Sequence, residues 1–261
     1  MSARHFAVVL AALTLLSGCG SQRAVVAPAS ADADQFLHER GTAAFKERKW
    51  LQAREYFRQI VDNYPQSPYR PDAKLSVGDS YIGEHTTESL LQAVNEFREF
   101  LTFYPTSPRA DYAQFRLATA IAEQMLAAER DQSNTREAVK ELQVFEDRYP
   151  NSALLPDAQK LKRAANDRLS EASYRVGFYY YRSKWYPGAV DRFREILKAD
   201  PGFTNRDAVY YHLADALLKQ KQNAEALPYF ERLLKEFEQS SYLELARKRV
   251  DELKSMPQPQ R

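Results

Sequence analysis

Four histidines, one cysteine and a few close carboxylate pairs are the residues of this 261-residue chain whose types could do chemistry. Histidines paired with Glu or Cys at ligand spacing would hold a metal, and two opposed carboxylates would serve acid–base hydrolysis. His5 lies in an apolar leader, and His38, His85 and His212 lie in the body. None falls in a HExxH pair or beside a cysteine, and no CxxC, GxGxxG, GxxxxGKS/T or GxSxG segment occurs. His38 is expected to be solvated or groove-lining, and His85 to sit at a helix end where the macrodipole suits it. The pairs Glu96/Glu99 and Glu123/Glu129 are interspersed with Lys and Arg and read as solvated helix faces. The sequence therefore assigns no catalytic residue, no metal site and no cofactor. Lys+Arg 37 against Asp+Glu 35 lacks the concentrated basic face of a nucleic-acid binder, so no nucleic-acid partner is expected.

Cys19 is the only cysteine, so no internal disulfide can form. Arg4 precedes an apolar run from Phe6 to Leu16 that is too short to span a bilayer and suits a signal peptide. The run ends in Leu16-Ser17-Gly18-Cys19, which resembles a bacterial lipobox. That resemblance implies that Cys19 is lipidated and becomes the first mature residue, anchoring the chain to a membrane. Gly20 follows where lipoprotein sorting retains Asp in the inner membrane, which implies the outer one. The expected layout is a signal peptide at 1–18, a lipidated flexible tether at 19–33, a folded body at 34–255 and a disordered tail at 256–261.

The elements that carry the body repeat. One register recurs five times: Ala53-Phe57-Ile60-Tyr64, Ala93-Phe97-Phe100-Tyr104, Ala138-Leu142-Phe145-Tyr149, Ala189-Phe193-Ile196-Asp200 and Ala226-Phe230-Leu233-Phe237. Steps of four, three and four mark one face of an α-helix. Pro65, Pro105, Pro150 and Pro201 follow at once and stop it. A partner helix precedes each, marked by a small residue: Gly41, Gly78, Ala118, Gly177 or Ala214. That residue is expected to let the helices approach closely, with the Ala of the second helix packed against it. The pattern resembles the tetratricopeptide repeat (TPR), a helix–turn–helix unit. It implies an all-α, right-handed solenoid of five TPR-like repeats with a C-terminal capping helix near 240–254. Paired helices are expected near 35–48 and 50–64, 69–84 and 87–104, 108–129 and 134–149, 154–183 and 185–199, and 204–221 and 223–237. The polar stretch 127–136 reads as a loop.

TPR solenoids bind partners along the first helices of their pairs. Carried over from the small residue, the groove positions include His38, Thr42 and Phe45 in the first repeat, and Leu75, Asp79 and Ile82 in the second. The fourth repeat gives Tyr174, Phe178, Tyr181 and Arg182, and the fifth Tyr211, Asp215, Leu218 and Lys219. Tyr and Arg are strong interface anchors, which marks the aromatic fourth set as a candidate contact.

Local segments extend the resemblance: Tyr64-Pro65-Gln66-Ser67-Pro68-Tyr69, Pro108-Arg109-Ala110-Asp111-Tyr112, Asp131-Gln132-Ser133 leading to Arg136-Glu137-Ala138, and Tyr149-Pro150-Asn151-Ser152. With the lipobox, five repeats and a long fourth-repeat helix before Trp185, the chain resembles the BamD family of lipoproteins of the β-barrel assembly machinery. The resemblance implies a lipid-anchored scaffold on the periplasmic face of the outer membrane, not an enzyme. Its implied partners are the barrel-forming BamA-like subunit, C-terminal segments of unfolded outer-membrane proteins, and other assembly lipoproteins. It assigns substrate recognition to the N-terminal groove (His38, Thr42, Phe45, Asp79, Ile82) and subunit contacts to the C-terminal repeats (Tyr174, Phe178, Tyr181, Arg182), with Arg192 matching a family arginine linked to such contact. Two other readings stand beside it. Another TPR lipoprotein, such as a type IV pilus pilotin, would share anchor and repeats. An envelope hydrolase would need a catalytic domain for which the chain has no room outside its repeats.

Overall fold

The computed structural model describes residues 32–255. Within them the chain is all helical: α1 (Ala33–Lys46), α2 (Trp50–Asn63), α3 (Arg70–Glu84), α4 (Thr87–Phe103), α5 (Ala110–Ala122), α6 (Ser133–Arg148), α7 (Leu155–Arg182), α8 (Tyr186–Ala199), α9 (Arg206–Lys219), α10 (Asn223–Glu236) and α11 (Leu243–Ser255). Each helix packs on the next, giving five antiparallel pairs and a closing helix, a helical repeat solenoid. The first helices of successive pairs also touch directly, α3 with α5, α5 with α7 and α7 with α9. They therefore share one face of the solenoid. Cys19, the tether and the tail lie outside the described residues.

The recurring register is the core. Ala53, Phe57, Ile60, Ala93, Phe97, Phe100, Ala138, Leu142, Phe145, Ala189, Phe193, Ile196, Ala226, Phe230 and Leu233 are all buried. The small residue of the first helix meets the aromatic ring of the second, not its alanine as the sequence suggested. A Cβ on Gly41 would lie 2.7 Å from Phe57 Cε1, one on Gly78 2.7 Å from Phe97 Cζ, and one on Gly177 2.8 Å from Phe193 Cε1. The ring occupies the volume that a side chain would need.

Two kinds of turn join these helices. Within pairs, Arg48, His85, Lys184 and Lys221 adopt the left-handed conformation, with φ between 57° and 63°. The next amide closes back on the first helix, Lys49 N–H to Ala44 O at 2.9 Å and Trp185 N–H to Tyr180 O at 3.0 Å, which satisfies the carbonyls of the helix end. Between pairs, a Ser hydroxyl accepts the amide two residues on, at Ser67, Ser107, Ser152 and Ser240. An aspartate from the first helix of the previous pair then holds three of these inter-pair turns or their equivalents, from the first turn at Asp111 and Asp207 and from mid-helix at Asp167. Asp111 accepts from Ser152 at 2.6 Å, Asp167 from Thr204 at 2.7 Å and Asp207 from Ser240 at 2.6 Å.

The third and fourth pairs depart from the pattern. Helix α5 ends at Ala122, short of the expected 129, because Gln124 and Met125 tighten their amides onto Ile121 and Ala122. The segment 123–132 is irregular. Side chains cap its carbonyls, Gln132 on Ala127 and Arg130, and Asn134 on Gln124. Helix α7 has 28 residues, about 42 Å of helix. From Pro150 to Gly177 the chain is fourteen residues longer than from Pro201 to Ala214. Fourteen residues are close to four whole turns, so the same face continues, and Ala158, Ala165, Ser170 and Gly177 are all buried along it.

The carboxylate pair Glu96/Glu99 is solvated only in part: Glu96 is largely covered and Glu99 stays exposed. Both bind Lys74 of α3 at 2.5 Å, and that lysine is only 8% exposed. Glu123 pairs with His85 at 2.9 Å and Glu129 with Arg175 at 2.5 Å.

The Gly–ring contact predicts a sign. Ala is the better helix former by ~1 kcal/mol, yet overpacking a filled core costs ~1–3 kcal/mol. Gly78→Ala is therefore expected to lower stability in denaturant unfolding. Phe97→Ala, which empties a fully buried site, is expected to cost about 3–5 kcal/mol in the same measurement. A stabilised Gly78→Ala variant would show that the ring yields freely.

Candidate protein-binding surfaces

The N-terminal groove is built on α1. His38 is half-buried and stacks on Tyr69 of the following turn, centroids 4.8 Å apart at 24°. Phe45 meets Trp50 edge-on at 5.1 Å, and Thr42 lies between the two on the helix face, half-buried. These three keep surface that a partner can touch.

The second-repeat positions behave differently. Asp79 accepts from the Tyr112 hydroxyl at 2.8 Å and from Arg116 Nε at 2.6 Å, both on α5. Burial raises its carboxyl, and the Arg116 charge pulls the other way. Burial also pushes the Tyr112 phenol well up, helped by the Asp79 charge. Asp79 thus braces α3 against α5. Ile82, 7% exposed, and Leu75, 1% exposed, belong to the core with Leu90 and Leu117. The groove assignment at Ile82 is corrected: α3 sits between neighbouring pairs, which close over these side chains.

The C-terminal face centres on a residue that the spacing did not single out. His212 of α9 is ringed by Tyr174, Phe178, Tyr181, Tyr211 and Tyr242, with centroids 4.9–5.9 Å away. Its Nδ1 lies 2.8 Å from Ala208 O; a carbonyl only accepts, so this nitrogen carries the proton. Burial holds the imidazole below the usual histidine range. The Tyr174 hydroxyl sits 3.1 Å from the same nitrogen, and burial raises that phenol strongly. Tyr181 donates to Asp215 Oδ2 at 2.6 Å, and burial raises it too. Tyr174, Phe178 and Tyr181 remain half-buried, one side of the cluster core and the other surface.

Arg182 is exposed at the end of α7 and has no ion pair among the described residues. Arg192 lies on α8, its Cβ near Gly177, and bridges to Glu195 at 2.9 Å. It is therefore on the second helix of its pair, apart from the tyrosine face. Tyr242 had a legible signal that was missed. Ser240-Ser241-Tyr242 copies Ser67-Pro68-Tyr69, and Tyr242 stacks on Tyr211 at 4.7 Å and 21° as Tyr69 stacks on His38. In both repeats the turn tyrosine covers the groove residue three before the small one.

An open cleft of about 680 Å³ lies between the 127–129 segment, α7 and the 203–205 turn. Its charges are already engaged: Arg168 with the Leu126 carbonyl, Arg175 with Glu129 and Glu171, and Asp167 with Thr204. It clasps the insertion to α7. Among the described residues no group of three His, Cys, Asp or Glu side chains could hold a metal ion.

The buried imidazole makes stability depend on pH. With the folded value below the ordinary 6.5, the unfolded chain takes up the proton first, so stability drops as pH falls through that window. Thermal unfolding from about pH 7.5 to about pH 5.5 is expected to show a larger loss for the native chain than for His212→Gln. Parallel losses in the two would assign the effect to other groups.

The chain matches a family model described as YfiO, outer membrane lipoprotein, over residues 30–214, and a tetratricopeptide-repeat model over residues 182–249. It is 26% identical over 193 residues to the outer membrane protein assembly factor BamD of Caulobacter vibrioides, covering 74% of this chain and 62% of that one. The corresponding BamD of Vibrio cholerae serotype O1 is 25% identical over 202 residues, covering 74% of this chain and 81% of that one. The chain thus spans about three fifths of the Caulobacter relative's length. A solved Pseudomonas aeruginosa PilF structure aligns with a TM-score of 0.34 and 16% identity, over 85% of this chain and 89% of that one, too low a score to carry an argument. The first family match runs through four of the five helix pairs and far more than half of the sequence: the chain belongs to the YfiO family of outer-membrane lipoproteins, with the BamD assembly factors among its relatives.

Proposed function

We propose that this chain is a lipid-anchored, periplasm-facing scaffold of the β-barrel assembly machinery, aiding the folding and insertion of outer-membrane proteins through protein–protein contacts rather than catalysis. One observation carries the reading: the family match, joined by relatives from several bacteria that are outer-membrane protein assembly factors. The solenoid supports it physically. Its inner face offers half-buried rings flanked by polar groups, the make-up of a surface that anchors a peptide or a neighbouring domain.

In this reading His38, Thr42 and Phe45 receive C-terminal segments of unfolded outer-membrane proteins. Asp79 acts behind them as a brace. Tyr174, Phe178, Tyr181 and Arg182 contact a barrel-forming, BamA-like subunit or an accessory lipoprotein, and Arg192 serves a separate contact on the α8 side. Cys19 carries the lipid.

Affinity purification of the tagged chain from solubilised envelopes is expected to recover a large outer-membrane β-barrel protein with periplasmic domains. Recovery of a secretin or pilus component alone would replace this reading with that of a pilotin. Cys19→Ser is expected to release the chain from membranes washed in high salt; undiminished retention would place the anchor elsewhere.

A further inference from the structure

The first helices of neighbouring pairs lie side by side, so their C-terminal ends and the turns that follow form one edge of the solenoid. Four of these turns hold a residue in the left-handed conformation: Arg48, His85, Lys184 and Lys221. Gly or Asn takes that conformation with least strain, and a long branched-free cation does so only at a cost. Three of the four are nonetheless Arg or Lys, all exposed, and none has an ion pair among the described residues.

The last two full pairs concentrate the effect. Arg182 and Lys219 close α7 and α9, and Lys184 and Lys221 follow in the turns, each thirty-seven residues from its counterpart. All four are exposed and lack an ion pair among the described residues. Glu225, in the first turn of α10 after Lys221, is bridged to Arg194. A helix C-terminus favours a cation within its last turn, which accounts for Arg182 and Lys219 but not for choosing lysine over asparagine at the strained position.

Aromatic rings stand beside the cations. Trp185 is 56% exposed and Tyr179 is 67% exposed. Tyr180 links them, with ring centroids 6.0 Å from Tyr179 and 4.7 Å from Trp185. A Cβ on Gly188 would fall 2.6 Å from Trp185, so the indole lies close against the start of α8 with its other side in solvent. Exposed Trp and Tyr beside unpaired Lys and Arg match the chemistry of a headgroup layer, where amphipathic rings settle and cations meet phosphates. The cations are spaced along successive exposed turns rather than gathered in one pocket. That arrangement suits a diffuse anionic surface better than the fixed register of an acidic peptide.

We propose that this edge, from Lys184 and Trp185 to Lys221, rests on anionic phospholipid at the membrane surface. The contact would orient the solenoid beneath the bilayer. The inference rests on the outer-membrane placement in the preceding reading, not on the assembly role.

The test uses the mature chain from residue 19 carrying Cys19→Ser, so that neither the apolar leader nor a lipid contributes, and Trp50→Phe, so that Trp185 is the fluorescent reporter. Vesicles are phosphatidylcholine alone or phosphatidylcholine with about one-third phosphatidylglycerol. The chain is expected to sediment with the anionic vesicles at low salt, to stay in solution with the neutral ones, and to show a blue shift of Trp185 emission only with the former. Each cation near such a surface is worth roughly fivefold in affinity, so Lys184→Asn with Lys221→Asn is expected to weaken binding about 25-fold. Asn is at ease in the left-handed turn, so Tm is expected to stay at or above that of the parent, which separates lost binding from lost fold. The proposal is overturned if the parent fails to bind anionic vesicles, binds neutral ones equally, or binds undiminished after the double substitution. Failure to recover a β-barrel partner in the affinity purification would leave these vesicle outcomes unchanged, so the two readings fail separately.

Discussion

The contact on which the solenoid depends is a phenyl ring lying against a helix that has no side chain at that point. Phe57 on Gly41, Phe97 on Gly78 and Phe193 on Gly177 repeat it, each ring within 3 Å of where a Cβ would be. The ring fixes how closely the two helices of a pair approach, and through that the direction in which the second helix leaves. Ala118 and Ala214 keep the position small in the other two pairs, the former opposite Leu142 and the latter opposite Phe230, all fully buried. Because the contact is local to one pair, the chain between its partners can vary. Gly78 and Phe97 are nineteen residues apart and Gly41 and Phe57 sixteen, yet the same ring reaches the same notch.

That locality explains which parts of the fold could be read from sequence. The face of each second helix was legible because Ala, Phe and a large apolar residue recur at helical steps, and those positions pack within their own pair. The first helices were harder. Each is gripped on one side by its partner and on others by the neighbouring pairs, so burial at Leu75 and Ile82 depends on residues from α4 and α5 that no local pattern reveals. The same blindness hid Lys74, nearly buried between a largely covered Glu96 and an exposed Glu99. At the candidate sites, the types and helices of His38, Phe45 and Tyr174 were visible. The box around His212 was not, because it draws on α7, α9 and the turn before α11.

Helix α7 divides the molecule. Its first half packs on the third pair, through Ala158 and the Lys162–Glu146 bridge at 2.5 Å, and its second half pairs with α8. Adding two heptads to one helix keeps its buried face in register while shifting the fourth and fifth pairs along the axis. The irregular segment 123–132 fills the space that the longer helix opens, held there by Arg168 and Arg175. The N-terminal candidate surface on α1 therefore lies before this helix, and the C-terminal one is carried on its second half, at Tyr174, Phe178 and Tyr181.

What remains free on the inner face decides what it can bind. Its carboxylates brace neighbouring helices: Asp79 of α3 with Tyr112 and Arg116 of α5, and Asp215 of α9 with Tyr181 of α7 and Arg249 of α11. A carboxylate already holding two donors has little capacity left for substrate, and a phenol raised far above neutrality by burial does not act as a base. The available surface is ring faces and edges, at His38 and Phe45 in one half and at Tyr174, Phe178 and Tyr181 in the other. Such surfaces gain affinity from apolar contact and tolerate varied partners, because every apolar or aromatic side chain can lie against a ring, whereas a charge-reading groove would demand one sequence. The polar contacts brace successive helices, and the rings that they leave uncovered are the surface on which the proposed scaffold role would draw.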